Sequence, residues 1–123
     1  MEFSQPKGIY QQIAEQMRDR NLAGEWQEGE RIPSVRELAA GVGVNPNTVN
    51  KSYQALLDRE IIENQRGLGY FVAAEAKRRI IEQLREEFVS NELPRIFRTM
   101  RVLGMQPRDL EPYFAQSNGE PRS

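Results

Sequence analysis

The chain has 123 residues, 38% of them hydrophobic, and a formal net charge of -1, which suits one compact domain or a small domain with an appendage. It contains neither His nor Cys, so the usual transition-metal ligands, the common proton shuttle and the thiol nucleophile are missing. No apolar run approaches the roughly 20 residues that cross a bilayer. We therefore expect no enzyme, metal, cofactor or membrane function.

The N-terminal segment carries the apolar stripe of an amphipathic helix. Ile9, Ile13 and Met17 recur every four residues, which predicts a helix over about residues 7 to 22, ended by Gly24. The first residues lack the basic patch and apolar stretch of a signal peptide, so a cytoplasmic location is expected. The single tryptophan, Trp26, is interpreted as a core anchor rather than a ligand platform.

Two helices joined by a short turn are predicted next. Ser34 and Glu37 have the spacing of a capping box at the start of a short helix, which the Gly-rich residues 41–44 end. Asn45 suits the N-cap of the second helix, and Pro46 suits its first position because the missing amide would be unpaired there. The apolar stripe of this helix contains Val49, Tyr53, Leu56 and Leu57.

The remaining pattern predicts a hairpin and further helices. Residues 61–64 and 70–72 are predicted strands joined by a Gly-bearing turn. Helical periodicity returns from Glu75, Pro94 kinks or restarts the helix, and Pro107 starts a last short helix after Gly104. The predicted fold class is mainly α with a small β-hairpin: a winged helix-turn-helix followed by a C-terminal helical hairpin.

The outer face of the second helix of the pair is polar. If its apolar stripe points inward, side-chain types that pair with base edges and phosphates point outward; they are Asn47, Thr48, Asn50, Lys51 and Gln54. The same surface is expected to contain the cations Arg31, Arg36 and Arg66. It is also expected to contain Gly67, which has no side chain and lets the backbone approach DNA closely. Each feature alone also fits a solvated helix face or an ordinary turn, but together in this order they predict DNA binding.

The motifs of residues 7–72 resemble the DNA-binding domain of the GntR family of bacterial transcription regulators. Its pattern is met by Gly-x-x-x-x-Gly from Gly24, Arg-x-Pro-Ser-x-Arg-Glu-Leu-Ala from Arg31, Gly-Val-x-x-x-Thr-Val from Gly43 and Arg-Gly-x-Gly-x-Phe-Val from Arg66. The resemblance implies DNA contacts by Arg36, Asn45, Asn47, Thr48, Asn50, Arg66 and Gly67. Many family members carry Arg where this chain has Pro46 and Asn50, so arginine-guanine pairs are expected to contribute less here.

Only residues 73–123 follow the predicted wing, which is too short for the large effector domains of the family. They resemble the small YtrA-like branch, whose C-terminal helices serve in dimerisation. The apolar residues expected to form a dimer interface are Ile80, Ile81, Leu84, Phe88, Ile96, Phe97, Met100 and Leu103. In the alternative interpretation, this stripe packs only against its own winged helix. The predicted domains are 1–73 for DNA binding, 74–116 for dimerisation and 117–123 as a disordered tail.

The function expected from these observations is a homodimeric repressor that binds a pseudo-palindromic operator in double-stranded DNA. The predicted DNA-binding domain is not basic overall, since residues 1–72 hold 8 Lys+Arg against 10 Asp+Glu. DNA binding should therefore depend on a local basic patch and on the salt concentration. The main alternative is a winged-helix protein-interaction module without sequence-specific DNA binding. A small-molecule effector near Phe88, Phe97, Met100 or Tyr113 is a further possibility, against plain core packing. The basic run Lys77, Arg78 and Arg79 fits either DNA or partner contacts, or a solvated turn.

Overall fold

A computed structural model describes residues 8–117 of the chain. Its elements in chain order are α1 (Ile9–Leu22), α2 (Val35–Val42), α3 (Pro46–Asp58), β1 (Ile62–Gln65), β2 (Gly69–Val72), α4 (Ala76–Glu87), a π-helical segment (Phe88–Glu92), α5 (Leu93–Leu103), a 3-10 helix (Pro107–Leu110) and α6 (Glu111–Ser117). The predicted class, mainly helical with one antiparallel hairpin, is confirmed. The chain forms two compact units, one ending at Gln83 and one beginning at Leu84. Of the predicted tail, Ser117 ends α6, and the rest lies outside the described residues.

The core of the first unit lies between α1, α2 and α3. Val49 and Tyr53 of α3 are completely buried, and Ile13 and Met17 of α1 are buried with them. Ile9 belongs to the same stripe, but it lies in the first turn of α1 and is 56% exposed. Burial of each large apolar side chain contributes roughly 1.5–3 kcal/mol relative to leaving it in water. This packing confirms that the apolar stripe of α3 faces inward and leaves its polar residues on the opposite side.

Both helix starts in the helix-turn-helix have the predicted caps. The Ser34 hydroxyl accepts a hydrogen bond from the Glu37 amide at 3.1 Å, and the Glu37 carboxylate accepts one from the Ser34 amide at 2.8 Å. Asn45 Oδ1 accepts a hydrogen bond from the Asn47 amide at 2.7 Å, and Pro46 is the first residue of α3. Gly43 ends α2 with a φ of 73°, the left-handed conformation that favours glycine. These local bonds fix the angle at which the chain enters α3.

The hairpin that follows α3 is joined by a third extended segment. In the antiparallel pairing of β1 with β2, Ile62 lies opposite Val72 and Gln65 opposite Gly69. On the other edge of β2, the Ile32 amide donates to the Tyr70 carbonyl at 2.9 Å, and residues 31 and 71 form an isolated bridge. This pairing of residues 31 and 32 with the hairpin is not predicted from the sequence.

The second unit begins within α4 and is helical through α5. Pro94 has no amide hydrogen, and its ring would clash with the carbonyl of the preceding helical turn. The wider π-helical segment directly before α5 accommodates this residue, so the predicted kink or restart at Pro94 takes the form of a π turn. Gly104 then ends α5 with a φ of 70°. Among the described residues, no helix is long and apolar enough to span a membrane.

Candidate nucleic-acid interface

The outer face of α3 presents the polar side chains predicted from the sequence. Asn47, Asn50 and Lys51 are exposed, and Thr48 is half-buried. Gln54 is exposed as well, but its amide donates to Asp58 Oδ1 at 2.9 Å within the same helix. The face therefore offers amide and hydroxyl groups near the N-terminus of the helix, where the backbone amides and the helix dipole favour a negatively charged phosphate.

Two side chains on the inner face hold α3 in position. Ser52 is fully buried, and its hydroxyl donates to the Tyr10 carbonyl of α1 at 2.7 Å. The Tyr53 hydroxyl donates to the Pro33 carbonyl at 2.5 Å, and its ring meets Tyr70 edge-on, with ring centroids 4.9 Å apart. Burial of the phenol raises the pKa of Tyr53, with a smaller contribution from Tyr70, so the hydroxyl stays protonated and donates. Sequence reasoning missed Ser52, although a serine on the buried side of a helix was the available signal.

Arg36 and Lys51 supply positive charge on two neighbouring helices. Arg36 is exposed in the first turn of α2. The ammonium of Lys51 lies 6.0 Å from the centroid of the Tyr10 ring, at the outer limit of a cation-π contact. The hydrogen bond from the Ser34 amide lowers the pKa of the Glu37 carboxyl, so this acid is charged beside Arg36 at neutral pH. The positive charge of this surface therefore comes from individual side chains, since the whole chain has a formal net charge of -1.

The turn between β1 and β2, residues 65–69, is called the wing turn. Arg66 and Gly67 are exposed at its tip, and Gly67 has a φ of 76°. The Leu68 amide donates to the Gln65 carbonyl at 2.9 Å and closes the turn. Arg31 Nε donates to the Leu68 carbonyl at 3.1 Å. Arg31 is thus brought to the wing, as an exposed cation in contact with its backbone.

The residues predicted for dimerisation fall into three groups by burial. Ile80 and Met100 are buried within the chain itself, at 0% and 6% exposure. Leu84 is half-buried. The exposed members are Ile81, Phe88, Ile96, Phe97 and Leu103. Further exposed apolar residues of the second unit are Val89, Val102, Leu110, Tyr113 and Phe114.

The basic run at the start of α4 is largely neutralised by acids of the same chain. Arg78 forms ion pairs with Glu75 at 2.7 Å and Glu82 at 2.8 Å, and Arg79 pairs with Glu60 at 3.2 Å. The Arg78 hydrogen bond lowers the pKa of the Glu75 carboxyl. These pairs offset the unfavourable position of cations at a helix N-terminus. Across residues 8–117, no group of three or more acidic side chains is arranged to hold a metal ion.

The paired helices α2 and α3, followed by the β1–β2 hairpin, define a winged helix-turn-helix protein. The sequence pattern described as "Bacterial regulatory proteins, gntR family" matches residues 9–72. The chain therefore belongs to the GntR family of bacterial transcription regulators, as its motifs predict.

Two curated relatives are similar over different lengths of the chain. The uncharacterized regulator YhcF of Bacillus subtilis is 34% identical over 109 residues, which are 89% of this chain and 88% of that protein. The transcriptional repressor YtrA of the same organism is 45% identical over 74 residues, 60% of this chain and 57% of the relative. The second relative supports the predicted place in the small YtrA-like branch.

Solved structures agree with the fold. A GntR-family regulator from Bacteroides thetaiotaomicron is 40% identical, with a TM-score of 0.79, and the match covers 89% of this chain and 95% of that one. The AraR DNA-binding domain, solved in complex with an operator, is 27% identical with a TM-score of 0.50, over 58% of this chain and 93% of that one. The likeness to the first structure extends well beyond the residues of the winged helix.

Proposed function

We propose that this protein is a sequence-specific repressor that binds a pseudo-palindromic operator as a homodimer. The observation that carries the proposal is the exposed polar face of α3, with Arg36 on α2 and Arg66 on the wing turn in the same unit. A protein-interaction module would not need amide, hydroxyl and ammonium groups at the start of α3. Repression is supported by the similarity to the transcriptional repressor YtrA, and a small dimer on an operator would block polymerase sterically.

The proposed DNA contacts divide by chemistry. Asn47, Thr48 and Asn50 contact base edges, since amides pair with adenine and the Thr methyl group packs against thymine. Asn45 contributes through the cap that exposes the first amides of α3. The residues that neutralise or approach the phosphate backbone are Arg31, Arg36, Lys51, Arg66 and Gly67. The operator complex of AraR, a relative of the same fold, supports this use of the winged helix.

In this proposal, residues 1–73 bind DNA and residues 74–116 form the dimer interface. Exposed apolar side chains on α4, the π-helical segment and α5 are costly to leave in water. A second copy of the chain covers the exposed members of the proposed set, which are Ile81, Phe88, Ile96, Phe97 and Leu103. Two α3 helices about 34 Å apart then contact half-sites one DNA turn apart, or a multiple of it.

DNA binding is tested with random-sequence duplex DNA at low salt. The wild-type protein is expected to bind, and Lys51→Glu to bind at least tenfold more weakly with a salt slope smaller by about 1. Arg108→Glu makes the same change of charge on the 3-10 helix of the second unit and serves as the matched control, with wild-type binding expected. Absence of binding by the wild type, or equal losses in both variants, contradicts the proposal.

Dimerisation is tested by sedimentation with two variants of α5. Phe97→Asp introduces a charge at a proposed interface residue and should halve the molecular mass at micromolar concentration. Val102→Asp introduces the same charge at an exposed residue outside the proposed set, 85% exposed in the chain, and should leave the mass unchanged. A wild-type monomer that binds a single half-site tightly would refute the dimeric operator complex.

A further inference from the structure

Arg31 is attached to the wing by both its backbone and its side chain. It lies in the connector before α2, 37 residues away in sequence from Leu68, whose carbonyl accepts its Nε hydrogen at 3.1 Å. Its backbone pairs with Phe71 in an isolated bridge, and the next residue, Ile32, donates its amide to Tyr70 at 2.9 Å. These contacts join the connector to one side of the wing turn.

The guanidinium of Arg31 also lies directly against Gly69. A Cβ built on Gly69 would be 3.0 Å from Arg31 Nε and 3.4 Å from its Nη2. Gly69 has a φ of 118°, a backbone conformation that residues with a side chain rarely adopt. The planar group therefore rests on the backbone of Gly69, and a side chain at this position would both strain the backbone and push the guanidinium away by a few tenths of an ångström.

Arg31 is close to the start of α2 as well. The pKa of Glu37 is lowered mainly by the hydrogen bond from the Ser34 amide and, to a smaller extent, by the positive charge of Arg31. Glu37 follows Arg36, the proposed phosphate contact of α2. The positive charge of Arg31 thus also acts on an acid in the first turn of α2.

We propose that Arg31 is a positioning residue, which holds the wing turn in place so that Arg66 and Gly67 reach the DNA backbone together with Arg36. Its importance for DNA binding rests on the proposed function, whereas the hold on the wing turn is a property of the free protein. In the alternative, Arg31 acts on DNA only through its positive charge, as a phosphate contact, and does not hold the wing turn.

Two substitutions of Arg31 separate the charge from the positioning bond. Lysine keeps the positive charge but has a methylene group where Arg31 has Nε. Glutamine loses the charge but carries an amide nitrogen at the same distance along the side chain, so it still donates to the Leu68 carbonyl. A positioning role predicts that Gln preserves the position of the wing turn and Lys does not. A charge-only role predicts that Lys retains the DNA affinity and Gln loses it.

The discriminating readout is the effect of Arg66→Ala on binding to random-sequence duplex DNA in each background. In the wild type and in Arg31→Gln, Arg66→Ala should lower the slope of log affinity against log salt by about 1. In Arg31→Lys, Arg66 no longer reaches its phosphate, so the same substitution should change the slope by less than half of that. Such a dependence on the background is the non-additivity expected of coupled residues.

A second measurement needs no DNA. In ¹H–¹⁵N spectra of the free protein, the amide signals of Gly67 and Gly69 should shift in Arg31→Lys and remain near their wild-type positions in Arg31→Gln. Equal effects of Arg66→Ala in all three backgrounds overturn the positioning role, whatever the spectra show. Failure of the wild type to bind duplex DNA overturns the proposed function instead, and the spectra alone then decide whether Arg31 holds the wing turn.

Discussion

The hydroxyl of Tyr53, on the buried face of α3, donates a hydrogen bond of 2.5 Å to the carbonyl of Pro33, the residue directly before the N-cap of α2. One bond therefore connects the middle of α3 with the start of the helix that precedes it. Tyr53 is fully buried, and Pro33 is half-buried. The contact thus ties α3 to the segment that leads into α2.

Tyr53→Phe should lower the free energy of unfolding by about 0.5–1.5 kcal/mol, since it removes a hydrogen bond to a half-buried carbonyl while keeping the ring. Urea unfolding measures the change. Tyr113→Phe removes the same hydroxyl from a residue that is 66% exposed and should change stability by less than about 0.5 kcal/mol. Equal effects of the two substitutions would mean that the Pro33 bond adds nothing to stability.

The same phenol predicts a loss of stability in alkali. Burial raises the pKa of Tyr53 in the folded state, while in the unfolded chain the phenol ionises near pH 10, about its ordinary value. Above that pH the unfolded state releases the proton first, so the free energy of unfolding falls as the pH rises. Urea unfolding of wild type and Tyr53→Phe between pH 8 and about pH 11 should give a steeper fall for the wild type; parallel curves would contradict the assignment.

The capping box of α2 predicts a loss of stability in acid. The Ser34 amide lowers the pKa of Glu37 in the folded state, so its stabilising contribution is present above the unfolded pKa and disappears as the pH falls through the folded value. Glu37→Gln should flatten this part of the pH dependence measured by urea unfolding below pH 5. Glu63→Gln, at an exposed strand position, is the control and should leave the wild-type acid profile. An unchanged profile in Glu37→Gln would show that the cap does not depend on the carboxylate.

The caps could be predicted because all their partners lie within three residues of each other. Ser34 with Glu37, and Asn45 with Pro46, carry their chemistry in the local sequence. Arg31 with Leu68, and Ser52 with Tyr10, are 37 and 42 residues apart, and only the packing of the elements brings them together. The sequence therefore predicts the charge of Arg31 on the proposed DNA-binding surface, but it does not predict the hydrogen bond to the Leu68 carbonyl.

The helix break at Pro94 could also be predicted only in part from the sequence. Its missing amide predicts a break in the helical hydrogen bonds, but it does not specify the kind of break. The π-helical segment depends on how the preceding turn adapts, and α5 then continues with its apolar side defined by Phe97 and Met100. Which apolar side chains of α5 are exposed, Val102 among them, likewise depends on how the π-helical segment rotates the following helix about its axis.

Glu60, just after α3, has a φ of 61°, a left-handed conformation that is costly for residues with a Cβ. We therefore expect Glu60→Gly to be more stable than Glu60→Ala by about 1 kcal/mol in urea unfolding, since both lose the ion pair with Arg79 and differ only in the Cβ. At Gln54, inside α3, the order should be reversed. Equal stability of the two Glu60 variants would contradict the strain.

Asn50, exposed on α3, is the residue we expect to contribute most directly to base discrimination. Asn50→Ala should weaken binding to the duplex that the wild type selects from a random pool by about 10- to 100-fold, because a bidentate amide pair contributes about 1–3 kcal/mol of discrimination. Binding to unselected duplex and the salt slope should remain, since no charge is removed. Gln54→Ala removes an amide that is bonded to Asp58 at 2.9 Å and should retain nearly full affinity. Equal losses on selected and unselected DNA in Asn50→Ala would assign Asn50 to folding or backbone contact rather than to base recognition.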